Sequence, residues 1–270
     1  TRKESSAASD VYKRQILQRV LLQTPTQARA WNTLASLRWG EDRREEACQL
    51  YRLAACLHPS HEGYAVQYFR ALRALGRTAE GLQFLERRQA RLGRLAAAPS
   101  LTLSETLEEM QRPYEAQALL EQALAWRTAD GDLLLGLAEH LGRNGDAQGC
   151  QALLTQAEPL CRRAAWLRAA VQAGMRRMDE PRQTLAWARE AAMLEPLAVG
   201  AHRLCVTLLE QGEGSEAADA YVEALAAEYP HHLGIAELQV ERAKRRSLPA
   251  TEQALRLSLI HISEPTRLLS

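Results

Sequence analysis

The side chains best suited to chemistry are two histidines of one loop, His58 and His61. Imidazole nitrogens are common ligands of Zn²⁺, but a zinc site needs three or four protein ligands. Within the loop, Glu62 is the one further residue of ligand type. His231 and His232 form a similar pair in a later loop. We therefore expect neither a metal site nor a bound cofactor.

Two pairs of adjacent carboxylates, Glu45–Glu46 and Glu108–Glu109, offer a general acid and a general base. Both pairs lie in segments with helical periodicity, where consecutive side chains point in different directions. A glycine-containing segment at 212–214 lacks the preceding strand that a dinucleotide-binding loop needs. No arrangement of serine, cysteine and histidine indicates a nucleophile. The sequence therefore predicts that the chain is not an enzyme.

Charge and composition exclude several kinds of partner. The 270 residues include 34 Lys and Arg and 33 Asp and Glu, so there is no basic excess for nucleic acid. No apolar run reaches the ~20 residues of a membrane span. The five cysteines form no Cys-x-x-Cys pair, and we expect Cys150 and Cys205 to lie in the core. An odd number of thiols favours a cytoplasmic location, which nothing else in the sequence determines.

The two ends of the chain correspond to the two strands of one short DNA sequence. Residues 10–15 (DVYKRQ) can be encoded by GATGTGTATAAGAGACAG, whose reverse complement encodes LSLIHI, the peptide at 257–262. We therefore expect residues 1–15 and 257–270 to be translated sequencing adapter and residues 16–256 to be native protein. That interior has 29 basic and 30 acidic residues. Its richness in Ala, Leu and Arg favours a bacterial source.

A period of about 34 residues organises the interior. Small residues recur, each followed within five residues by Tyr, Leu or Ala, at positions Ala47, Gly81, Ala116, Cys150, Thr184 and Ala217. The flanking apolar residues follow the 3–4 spacing of helical faces. A polar or glycine-containing turn divides each period into two helices. This spacing is the signature of a two-helix repeat stacked into a solenoid.

The first complete unit resembles the tetratricopeptide repeat (TPR) family. The matching residues are Trp31, Leu34, Ala47, Tyr51, Ala54 and Pro59. Ala35 and Arg38 replace the glycine and tyrosine of the family pattern. The resemblance implies an all-α, right-handed superhelix of antiparallel helix pairs. We expect repeats to start near residues 28, 62, 97, 131, 165 and 198, with partial units at 16–27 and 231–256.

The TPR resemblance also implies that the first helix of each repeat lines a concave groove. The residues expected to face this groove include Arg29, Asn32, Trp39, Arg70, Arg73, Glu105, Glu139, Arg176 and His202. The groove is then basic in the second repeat, acidic in the third and fourth, and basic again in the fifth. We predict a protein–protein interaction scaffold that binds a peptide or partner protein there. Arg70 and Arg73 are expected to meet an acidic segment of that partner.

Two other roles are compatible with the same repeats. They could form the regulatory or substrate-presenting arm of a longer bacterial enzyme, such as a transferase or peptidase. They could also form the sensor arm of a transcription regulator. Native sequence beyond residues 16–256 would distinguish these roles, because polar capping repeats favour a scaffold and a βαβ pattern favours an enzyme.

Overall fold

A computed structural model describes residues 14–177 and 179–245 of the chain. In those ranges the regular elements are all helices, which confirms the expected all-α repeat fold. The expected adapter-derived ends lie outside the described residues, except for Arg14 and Gln15. The expected segment at 246–256 also lies outside them. The chain forms two compact units that divide between Leu133 and Leu134.

The first unit contains three helix pairs. A helix over residues 14–23, α1, precedes them. The pairs are α2 (Ala28–Gly40) with α3 (Arg44–Leu57), α4 (Glu62–Ala74) with α5 (Thr78–Leu92), and α6 (Ala98–Glu109) with α7 (Pro113–Trp126). From α2 to α7 each helix contacts the next, and α4 also contacts α6. Three-residue turns join the two helices of each pair, so the partners run antiparallel.

The second unit continues the same pattern. The unit boundary falls inside α8 (Gly131–Arg143). The elements that follow are α9 (Ala147–Ala157), a 3₁₀ turn (Glu158–Leu160), α10 (Arg163–Arg177), α11 (Pro181–Leu194), α12 (Val199–Gly212), α13 (Ser215–Glu228) and α14 (Leu233–Arg245). From α9 to α14 each helix contacts the next, and α12 contacts both α10 and α14. First helices of successive repeats are therefore neighbours.

Small side chains lie where the helices of a pair cross. Ala47, Ala116 and Cys150 are buried there, as the period predicts. Thr184 is larger, and it fits because Gly174 faces it across the pair. A Cβ atom at residue 174 would lie 2.3 Å from Thr184 Oγ1. The two positions are therefore matched in size, since close-packed helices leave no room for an additional methyl group.

The sixth repeat lies one residue later in the chain than the sequence analysis expected. Ala218 is fully buried at the helix crossing, whereas Ala217 is partly exposed. The interval from Thr184 to Ala218 is 34 residues, which restores the period. Val222 accordingly lies in the core, and Tyr221 is only partly buried against it. Both of these adjacent alanines satisfy the small-residue rule, and the prediction of Ala217 was wrong.

The second repeat carries a buried arginine where other repeats have alanine. Residues at the equivalent position are Ala54, Ala123, Ala157 and Ala191. Arg88 is only 4% exposed, and its Nη1 and Nη2 atoms each donate a 2.5 Å hydrogen bond to the carboxylate of Glu62. Its Nε atom donates to the carbonyl of Pro59 at 2.9 Å. The Thr102 hydroxyl also donates to Glu62, at 2.7 Å, so this network joins α4, α5 and α6.

Candidate functional site

The candidate site of the first unit is the surface formed by exposed residues of α2, α4 and α6, here named the first-helix face. Arg29 on α2 and Arg70 on α4 are both exposed. Within the part of the chain that the structure describes, neither guanidinium forms an ion pair. Two cationic groups are therefore accessible to a ligand from solvent.

Arg73, the third arginine expected on this face, already has a counter-charge. Its Nη1 atom lies 3.3 Å from Oε2 of Glu109 on α6, and both side chains are about half exposed. Glu105 is exposed on the same helix. The Arg73–Glu109 pair contributes little to stability in water, but it reduces the positive charge at the second repeat. The pair was not predicted from the sequence, because residue spacing does not specify the distance between two helices.

Asn32 on α2 has an unsatisfied hydrogen-bond acceptor. Its side-chain oxygen is buried and has no donor among the described residues. The neighbouring Ser36 hydroxyl donates instead to the backbone carbonyl of Asn32, at 3.1 Å. It also lies 3.1 Å from the Tyr51 hydroxyl. An unpaired buried acceptor costs about 1–3 kcal/mol. Asn32 lies one helical turn from Arg29, so its amide and an exposed cation share this part of the face.

Trp39 lies at the edge of the core and is only partly open to solvent. Its ring packs against a cluster that includes Ala35 and Tyr51. The guanidinium of Arg44 lies 5.9 Å from the ring centroid, within cation–π range. Trp39 therefore forms a fixed apolar border of the first-helix face.

In the second unit the expected residues differ in accessibility. Glu139 on α8 is partly buried and lies 3.9 Å from Arg143, and Arg176 is exposed near the end of α10. His202 is buried. Its Nε2 atom donates to the carbonyl of Pro196 at 2.8 Å, and its Nδ1 atom lies 2.7 Å from the Tyr221 hydroxyl oxygen. This geometry leaves His202 no exposed ring nitrogen.

The one-residue shift of the sixth repeat explains the position of His202. Counting from the buried Ala218, Arg203 occupies the repeat position that the sequence analysis assigned to His202. Arg203 is exposed, and its Nη1 atom lies 2.9 Å from Oε2 of Glu241 on α14. Arg203 therefore replaces His202 as the residue that α12 presents at this position.

The histidine loop has no metal-binding geometry. The His61 ring stacks on Tyr64 with centroids 3.9 Å apart, and the His58 ring lies edge-on to it at 5.6 Å. The carboxylate of Glu62 is held by Arg88. In the ranges that the structure describes, no three His, Cys, Asp or Glu residues are grouped so that they could hold a metal ion.

The adjacent carboxylates of α3 do not converge on one point. Glu46 pairs with Arg38 at 3.2 Å and with Arg43 at 2.5 Å. Glu45 instead approaches Arg77, at 3.3 Å. Their different partners confirm that neighbouring helical side chains diverge, so these two groups do not form an acid–base pair.

Burial determines the protonation state of three thiols. It raises the pKa of the Cys48, Cys150 and Cys205 thiols above the usual value, so these side chains are neutral at physiological pH. Cys150 and Cys205 are core residues, as expected. Cys56, at the end of α3, is exposed. None of the helices in the described ranges has the length and apolar character required to cross a bilayer.

Comparison with known proteins supports the fold. No protein-family model matches the sequence, and no curated protein does. Yeast Tom70 superimposes with a TM-score of 0.63 at 11% identity, over 92% of this chain and 54% of that chain. The APC/C hetero-tetramer Cut9–Hcn1 gives a TM-score of 0.51 at 13% identity, over 87% of this chain and 46% of that chain. A thermophilic TPR protein of Thermus thermophilus gives a TM-score of 0.50 at 18% identity, over 67% of this chain and 98% of that chain.

These alignments cover different proportions of the matched proteins. The chain spans about half the length of the Tom70 and Cut9–Hcn1 chains that it matches, and nearly all of the Thermus chain. Sequence identities below one fifth establish architecture and not activity. The chain therefore has a TPR-like helical-repeat fold.

Proposed function

We propose that this chain is a protein-interaction scaffold that binds an extended segment of a partner protein across α2 and α4. The observation that carries the proposal is the buried amide oxygen of Asn32, which lacks a donor among the described residues. Rotation of the Asn32 amide about its Cβ–Cγ bond would turn that oxygen toward solvent, where a backbone N–H of a bound segment would donate to it. Acidic side chains of the same segment would pair with the exposed Arg29 and Arg70.

Arg70 is a better binding partner for an acidic side chain than Arg73 is. Arg73 is already paired with Glu109, whereas Arg70 has no counter-charge among the residues described. An acidic side chain of the partner would therefore gain more from Arg70. By analogy of fold, the matched Cut9–Hcn1 structure is itself a hetero-tetramer, which supports an assembly role at the level of architecture alone.

Peptide display against the purified chain tests this function. We expect the selected peptides to share Asp or Glu residues. They should bind Asn32→Ala about fivefold more weakly than the natural chain, because one buried hydrogen bond is lost. Gln122→Ala, at an exposed position of α7, is the matched control and should leave the affinity unchanged. Selected peptides that bind Asn32→Ala and the natural chain equally would contradict the proposal.

A further inference from the structure

A separate cleft lies between the second helices α3 and α5 of the first unit, here named the α3–α5 cleft. It has a volume of about 360 Å³. Among the described residues that line it, none is acidic. The lining residues include Cys56, Pro59, Phe84, Arg87, Arg88 and Arg91. The first-helix face is built from other helices, so this cleft is a distinct surface.

Two exposed arginines give the cleft its charge. Arg87 and Arg91 lie one helical turn apart on α5, and the structure pairs neither with any carboxylate that it describes. Arg77, on the turn that precedes this helix, is by contrast 2.7 Å from a Glu80 oxygen. Arg52 on α3 is also exposed and without an ion pair in the described ranges, one turn before Cys56. Positive charge from Arg52, Arg87 and Arg91 therefore accumulates around the cleft with no paired carboxylate among the described residues.

The hydrogen bonds of Arg88 hold one wall of the cleft in place. Arg88 lines the cleft but is buried, and its guanidinium donates three hydrogen bonds, two to Glu62 and one to the Pro59 carbonyl. That side chain supplies shape, whereas Arg87 and Arg91 supply the accessible charge. Phe84 and Pro59 add apolar wall. The cleft therefore combines apolar walls and an ion-paired arginine with a cationic rim.

We propose that the α3–α5 cleft binds a phosphorylated serine or threonine side chain of a partner protein. A phosphate monoester carries a charge of about −1.5 to −2 and three acceptor oxygens. Two guanidinium groups on one helix face can donate to those oxygens in paired geometry. The apolar walls accept the side chain next to the phosphate. A flat anionic membrane would reach the rim but would leave the cleft between the helices unfilled.

The Cys56 thiol gives a local readout of occupancy. It is exposed and lines the cleft, whereas Cys48, Cys150 and Cys205 are buried. Alkylation of Cys56 by neutral iodoacetamide is followed by peptide mass spectrometry. A short phosphoserine peptide at about ten times its Kd should slow alkylation about tenfold, because only about one site in ten is then unoccupied. The same peptide with unmodified serine should give no protection, and inorganic phosphate should give less.

Charge variants connect protection to the two arginines. Arg87→Glu/Arg91→Glu should abolish protection, and Arg87→Gln/Arg91→Gln should weaken it without reversing charge. Arg19→Glu/Arg182→Glu, with the same change in charge at exposed sites on α1 and α11, should retain it. Circular dichroism and thermal unfolding establish that each variant is folded.

Four outcomes would overturn the proposal: equal protection by the unmodified peptide, equal protection by inorganic phosphate, loss of protection in the control variant, or retention of protection in Arg87→Glu/Arg91→Glu. Binding of phosphatidylserine vesicles without phosphopeptide protection would also overturn it and indicate a membrane surface. Asn32→Ala should leave the protection of Cys56 unchanged. Failure of binding at the first-helix face and failure at the cleft are therefore distinguishable.

Discussion

Arg88 donates two hydrogen bonds of 2.5 Å to the carboxylate of Glu62, with 4% of Arg88 exposed. Four other repeats carry alanine at the position of Arg88, so the pair is an addition to the repeat pattern. A buried charge without its partner is costly. The two residues therefore depend on each other, and their loss should not be additive.

A double-mutant cycle tests that dependence. Arg88→Ala should lower the free energy of unfolding by about 2–3 kcal/mol, because the Glu62 carboxylate loses its main partner and is only partly exposed. Arg88→Ala/Glu62→Ala should cost less than the sum of the single changes. Urea unfolding of the four proteins measures both quantities. Strictly additive losses would show that the two side chains are not coupled.

The corrected register of the sixth repeat makes a second prediction. Ala218→Leu should lower the free energy of unfolding by about 1–3 kcal/mol, because the fully buried position has no space for a larger side chain. Ala217→Leu is the matched control and should change stability by no more than about 0.5 kcal/mol. Thermal unfolding compares the two variants. A larger loss in Ala217→Leu would restore the register that the sequence analysis expected.

A third prediction follows from the backbone conformation of the turn between α6 and α7. Gln111 has a φ of 60°, in the left-handed region, where the equivalent turns of two other repeats have Gly76 and Gly145. Glycine adopts this conformation without a Cβ penalty. Gln111→Gly should therefore raise the free energy of unfolding by about 1 kcal/mol, measured in urea. Gln122→Gly, in the middle of α7, should lower it by about the same amount. Destabilisation by Gln111→Gly would contradict the turn geometry.

The buried thiols predict how stability changes with pH. Burial raises the folded-state pKa of Cys205 above the usual 9.0. The contribution of the neutral thiol to the free energy of unfolding is therefore complete below the unfolded-state pKa and is lost as the pH rises through the folded-state pKa. Between about pH 8 and about pH 10, the natural chain should lose more stability than Cys205→Ala. Urea unfolding at both pH values measures the difference, and an equal loss in the two proteins would contradict a neutral buried thiol.

The helix pairs could be predicted from the sequence because a repeat requires the same small residues at the same crossing. The small-residue rule could not select between Ala217 and Ala218, since both are alanine, and the burial of Ala218 and Val222 decides the register. The Arg73–Glu109 pair depends on the distance between two helices, which residue spacing does not specify. The side-chain contacts of Asn32 are likewise a property of three-dimensional packing.

The α3–α5 cleft could not be predicted from the sequence for the same reason. Cys56 and Arg87 belong to different repeats and share no motif, and only the contact between their helices brings them to one cleft. In the sequence, nothing distinguishes Arg88 from an exposed charged residue of a helix. Its burial follows from Glu62, which lies 26 residues earlier.

The affinity of one display-selected peptide for two charge variants is the sharpest test of binding at the first-helix face. Arg70→Glu should weaken binding about five- to tenfold, because an attractive contact becomes repulsive. Arg87→Glu/Arg91→Glu should leave the Kd unchanged, since the α3–α5 cleft is a different surface. Loss of binding in the cleft variant with full affinity in Arg70→Glu would contradict the assignment and place the partner on the second helices.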